Sequence, residues 1–179
     1  VVGKQPIYLT GHDELHSLSK NIDANSIRFW MGFGDHYLNV FNVLRNIGML
    51  SEKPVKTAEG LEVIPLKVLK AVLPDPGSLA PTYTGHTCIG DLVKGTKDGK
   101  YKEIFIYNTC DHAECYKEVE SQGISYTAGV PPVAAAMLVA QGIWNPQTMV
   151  NVEELDPDPL IALLDKIGLP TVIEDRTPK

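Results

Sequence analysis

The sequence has few cysteines and no excess of positive charge, and each shortage removes a class of protein. Three cysteines (Cys88, Cys110, Cys115) in 179 residues are too few, and odd in number, for a disulfide-stapled scaffold. A reducing compartment, the cytoplasm, is the expected setting. Sixteen Lys and Arg stand against 22 Asp and Glu, a net charge of −6 at pH 7. Nucleic-acid binding runs on clustered cationic charge, so no such partner is expected. The most continuous apolar run, residues 133–140, is far short of the ~20 residues of a bilayer span, so no membrane partner is expected either. No signal-peptide pattern opens the chain, and its first residue is Val, so it reads as a piece of a longer protein.

What is present is ordinary globular material: 44% hydrophobic and 21% charged residues, punctuated by 15 glycines and 13 prolines. There is no internal repeat and no long linker, so residues 1–179 are expected to form one domain. Residues 5–10 and 26–33 suit strands, the second with Ile27, Phe29, Met31 and Phe33 alternating on one face. Residues 12–20 suit a short helix. Asp35 is placed to cap another, whose Tyr37, Val40, Phe41, Leu44 and Ile47 follow helical spacing up to Gly48. Pro65 suits the first turn of a further helix, and residues 74–86 read as a loop.

Two strands, 88–97 and 100–108, flank Asp98-Gly99, a strong hairpin signal. Residues 104–107 are apolar on both faces and predict a strand inside a sheet. Pro131-Pro132 predicts the start of a helix whose residues 133–140 are apolar all round, as in a buried helix. A last helix is marked by Asp158 as cap, Pro159 in its first turn and the stripe Leu160, Leu163, Leu164 and Ile167. Strands and helices do not alternate strictly. The predicted class is α+β, a mixed β-sheet with helices packed on it.

Four motifs bear on chemistry. Gly32-Phe33-Gly34 begins like a dinucleotide fingerprint but meets bulky Tyr37 where the third small residue belongs, and no other such motif occurs. His12 and His16 have zinc-helix spacing without a Glu after the first His or a third ligand, and Cys110-Asp111-His112 with Cys115 lacks a second cluster, so no metal is expected. Asp111 and His112 come where the chain leaves a buried strand. Asp111 fits a helix cap as well as a cleft, a reading that leaves His112 unexplained. Residues 125–132 run into the apolar helix, and a helix start with a glycine offers N–H groups to a carboxylate or phosphate.

The segments 29–38 and 43–49, then Phe105-Ile106-Tyr107-Asn108, Cys110-Asp111-His112, Cys115-Tyr116, 121–131 and 151–159, resemble the carboxynorspermidine (carboxyspermidine) dehydrogenases of the saccharopine dehydrogenase family. The likeness runs in order over nearly the whole chain and lacks the family's N-terminal Rossmann domain. It implies a C-terminal substrate-binding and dimerisation domain of an enzyme that uses NADPH to reduce an imine. The imine would form between aspartate β-semialdehyde and a diamine (putrescine or diaminopropane). A homodimer is implied, with NADPH held mainly by the absent domain. A saccharopine or other opine-type dehydrogenase, joining for example lysine and 2-oxoglutarate, and an association module without chemistry are the alternatives.

Imine formation needs proton donors near neutral pH, for which histidine is suited. His112 and His36, each directly after an Asp, are the expected catalytic residues. Asp35 and Asp111 are expected to meet ammonium groups, with Tyr126 also on the substrate side. Thr127 and Gly129, at the expected helix start, are assigned to the cofactor. This chain alone is expected neither to bind NADPH tightly nor to turn over, and to self-associate.

Overall fold

Alternating apolar residues set the first pair of strands. In the computed structural model, which describes residues 2–178, β1 (Ile7–Thr10) and β2 (Phe29–Gly32) run antiparallel, Ile7 opposite Gly32 and Thr10 opposite Phe29. Helix α1 (Glu14–Asn21) lies between them in sequence. After β2 comes α2 (Asp35–Asn46), whose N-cap is Gly34; Asp35, expected as the cap, is its first helical residue. A two-residue ladder, β3 (Val55–Lys56) with β4 (Glu62–Val63), was not foreseen, because elements this short carry no periodicity. Pro65 opens α3 (Pro65–Val72) as expected. The loop that follows contains a 3₁₀ segment, Pro76–Thr82.

Strands β5 (His86–Lys97) and β6 (Lys100–Asp111) form the predicted hairpin. Asp98 and Gly99 both take positive φ, 53° and 73°, as the twist of a tight two-residue turn requires. Midway along, Gly90 faces Tyr107, and a Cβ there would strike the Ile106 carbonyl oxygen and the Tyr107 Cα and Cβ. The chain continues through α4 (His112–Val119), α5 (Gly123–Ala140) and α6 (Asp158–Lys166), the last starting one residue after its cap Pro157. A final strand, β7 (Val172–Asp175), pairs with β6 and makes β6 the middle strand of three. The α+β class holds. The strands form three separate antiparallel sheets, not one mixed sheet.

The chain divides into two compact units. One is built from Lys4–His12 and Arg28–Ser78, the other from Asp13–Ile27 and the residues from Leu79 onward. The second holds a core of Ala134, Leu164 and Leu169, with Tyr126, Val130, Leu160, Leu163 and Ile167 packed against it. The apolar stripe of α6 is therefore spent inside this core. Trp144 is also buried and donates its Nε1–H to the Asp156 carbonyl (3.0 Å).

Two helices depart from expectation. α5 begins at Gly123, so Pro131 and Pro132 lie inside it. Only Gly123, Thr127, Ala134 and Leu138 of α5 are buried, while Val133 (59%) and Val139 (50%) are widely exposed. It is apolar all round, yet only one face is covered. By length and composition α5 would also suffice to cross a bilayer, a test that core helices pass too. In the other unit α2 has no buried residue, and Tyr37, Val40, Phe41 and Ile47 are exposed rather than inward.

Candidate functional site

The open end of the β5–β6 ladder gathers the polar groups. His86 and Asp111 are register partners there, so their side chains project side by side. Asp111 caps α4: its Oδ1 accepts the Glu114 N–H at 2.9 Å. Its Oδ2 lies 3.4 Å from His86 Nε2, with the two side chains 30% and 39% exposed. The Glu114 N–H, followed by the facing imidazole of His86, holds the Asp111 carboxyl below the usual carboxylate range, with desolvation acting the other way. Both carboxylate oxygens thus have protein partners.

His112 is the first residue of α4. Its backbone N–H donates to the Gly85 carbonyl (3.0 Å), tying the entry of β5 to the helix start. Its Nδ1 accepts the Gly123 N–H at 3.0 Å, which in the neutral ring leaves the proton on Nε2. Gly123 makes this approach feasible, since a Cβ there would sit 3.2 Å from His112 Nδ1 and 3.3 Å from the Cys110 carbonyl oxygen. The Tyr83 ring stacks on His112 with centroids 5.3 Å apart.

The other expected site residues are distributed differently. Tyr126 directs its hydroxyl to Glu118 Oε1 and the Ile167 carbonyl, both at 3.4 Å, and its ring packs on the core. Burial, then the Glu118 carboxylate, raises the Tyr126 hydroxyl above its ordinary range. Thr127 is buried, its hydroxyl donating to the Ile124 carbonyl (3.2 Å). Thr127 and Gly129 lie inside α5, not at its start, because the helix begins at Gly123. The helix-terminus argument that assigned them to a cofactor therefore does not apply to them. Gly129 does line a shallow hollow of about 370 Å³ with Val119, Tyr126, Val130, Val133 and Ile167. Asp35 and His36 open α2 in the other unit, both exposed.

Burial pushes the Cys110 thiol up to about 11, with Cys115 adding to the effect, and raises Cys115 as well. Both are protonated at neutral pH and poor nucleophiles. Among the described residues, no group of three or more His, Cys, Asp or Glu is placed to hold a metal ion.

His86 and Tyr83 are the site members that sequence reasoning missed. His86 becomes visible only once the hairpin register is known: counting outward from Asp98-Gly99 places it opposite Asp111.

The family model for the saccharopine dehydrogenase C-terminal domain matches residues 1–169. The chain belongs to this family. Two relatives named carboxynorspermidine synthase, from Vibrio alginolyticus and Vibrio cholerae, are 51% and 52% identical over 98% and 93% of the chain. A third, from Synechocystis, named carboxyaminopropylagmatine dehydrogenase, is 49% identical over 94% of it. The chain spans only 40–42% of the length of these relatives.

Proposed function

We propose that the whole protein containing this chain is an NADPH-dependent dehydrogenase. It would reduce the imine formed between aspartate β-semialdehyde and an amine of the diamine class, giving a carboxylated secondary amine. The identity of about 50% to relatives carrying those names is the observation that carries this reading. The name of the third relative widens the amine to an aminoalkylguanidine such as agmatine. In this reading the chain supplies substrate contacts, and the protein is a cytoplasmic homodimer.

The nicotinamide group supplies the hydride when bound, but the residues present do not fit a dinucleotide. Among the described residues every strand pairing is antiparallel, so there is no βαβ crossover of the kind that cradles a pyrophosphate. Gly32-Phe33-Gly34 leads into α2 with exposed Tyr37 where close helix packing would need a small residue. NADPH is therefore assigned mainly to the part of the protein outside this chain.

Asp111 changes role in light of its geometry. With Oδ1 on a backbone N–H and Oδ2 facing His86, it is a holder of neighbouring groups before it is a receptor for ammonium. Asp35 has no such commitment to a cap bond and remains the better acceptor for an ammonium group.

The test is steady-state NADPH oxidation by the whole protein across a panel of amines (diaminopropane, putrescine, agmatine, lysine) and carbonyls (aspartate β-semialdehyde, 2-oxoglutarate). Turnover should require the semialdehyde together with a diamine or agmatine. Turnover with lysine and 2-oxoglutarate instead would replace this reading with the saccharopine one.

A further inference from the structure

We propose that His86 is the group that passes the proton during condensation, with Asp111 positioning it and His112 serving as a fixed Nε2–H donor beside it. This rests on the proposed imine chemistry and refines which histidine moves the proton.

The two imidazoles on this corner differ in what their nitrogens are already doing. His112 Nδ1 is engaged by the Gly123 N–H, an amide that has no alternative acceptor of equal quality at the first turn of α5. A doubly protonated His112 would set an N–H against that N–H and break the contact. His112 is thereby held in one tautomer and acts as a donor through Nε2. Tyr83, stacked on its face, restrains the ring plane as well.

His86 has no such lock. Its Nε2 faces a carboxylate at 3.4 Å, which orients the ring and leaves Nδ1 for exchange with a ligand. The pair is only part-covered, with side chains 39% and 30% exposed, so a small substrate can reach it. Asp111 is itself immobilised by capping α4, which fixes the direction from which it acts on the imidazole. A carboxylate held by backbone, facing a histidine with a second nitrogen available, is the arrangement by which a base is oriented. Asp111 is the charged group within ion-pair distance of His86. His112, next along the chain, acts on the same carboxylate.

The step is the dehydration of the carbinolamine formed from aldehyde and amine. The imidazolium of His86 gives its proton to the hydroxyl, the C–O bond breaks with its electron pair leaving as water, and the nitrogen lone pair forms the C=N bond. The histidine is left neutral and the substrate carries the positive charge as an iminium ion.

His86→Gln and Asp111→Asn in the whole protein test this. Glutamine can still offer an N–H towards Asp111 but cannot titrate. Asparagine retains the cap of α4 while removing the charge. His86→Gln should lower kcat by about 10²–10³-fold, change the shape of its pH profile and leave thermal unfolding unchanged. Asp111→Asn should lower kcat by a smaller factor with KM and thermal unfolding unchanged, because the cap of α4 stays while the carboxylate that orients the imidazole is lost. Wild-type kcat and pH profile in His86→Gln overturn the inference and leave the functional reading standing. If His86→Gln does not fold, Asp111→Asn decides alone: a wild-type kcat overturns it. A wild-type protein inactive with every amine–aldehyde pair overturns the functional reading and this inference with it.

Discussion

An imidazole that accepts a backbone N–H has one nitrogen left for chemistry. His112 is in that position, and the consequence separates two substitutions that would otherwise look alike. His112→Ala removes the acceptor for the Gly123 N–H, costs about 1–2 kcal/mol of stability and lowers the melting temperature. His112→Asn can place its amide oxygen near the Nδ1 position, so its melting temperature should stay near wild type while the Nε2 donor is lost. Differential scanning calorimetry of both variants checks this. Equal losses of stability would show that the Gly123 contact is not what holds the ring. At the same scale, the sequence left Asp111 open between a helix cap and a cleft residue, and the structure shows the cap. The sequence did not disclose His86, whose partner is far along the chain and is set by strand register.

Elements show where sequence signals succeed and where they mislead. Asp98-Gly99 fixed the hairpin because few residue pairs accept positive φ twice in succession. Pro131-Pro132 misled because proline is favoured in a helix first turn, yet here it sits in the interior of α5. Each proline removes one N–H from the ladder, so the Thr127 and Ala128 carbonyls lose their usual partners four residues on. Packing of α5 on α6 outweighs that loss, a tertiary effect invisible to local propensity. β7 was missed because a four-residue strand needs the sheet it joins to be recognised.

The sheet of β5, β6 and β7 also carries a set of depressed carboxyls. Glu103 is held low first by the Tyr101 hydroxyl, Glu174 by the Tyr107 hydroxyl and then Arg176, and Asp175 by Thr177 and Lys102. A carboxyl lower in the folded than in the unfolded state adds stability above its unfolded pKa and loses it as pH falls through the folded value. Melting temperature should therefore drop as pH is lowered from about 5 towards 2. Asp175→Asn should make that drop shallower. An identical acid slope in the variant would remove Asp175 from this set.

At the scale of the molecule, the exposed apolar face of α5 and the uncovered α2 call for cover. α2 carries Asp35 and Arg45 at its ends, whereas α5 contains no charged residue at all. Self-association of this chain through α5 is the expected result, with Val133→Glu shifting sedimentation velocity towards the monomer. A wild-type chain that sediments as a monomer at all concentrations would count against it.

The family is shown for the domain, while the reaction belongs to the whole protein, of which the relatives suggest this chain is about two-fifths. One measurement addresses that reaction directly: NADPH deuterated at the transferable position of nicotinamide C4, incubated with the whole protein, aspartate β-semialdehyde and a diamine, with the product analysed by mass spectrometry. A secondary amine one mass unit heavier than that made with unlabelled NADPH is the predicted result. Deuterium recovered only in an alcohol from the aldehyde, or in no product, would contradict reductive joining of the two substrates.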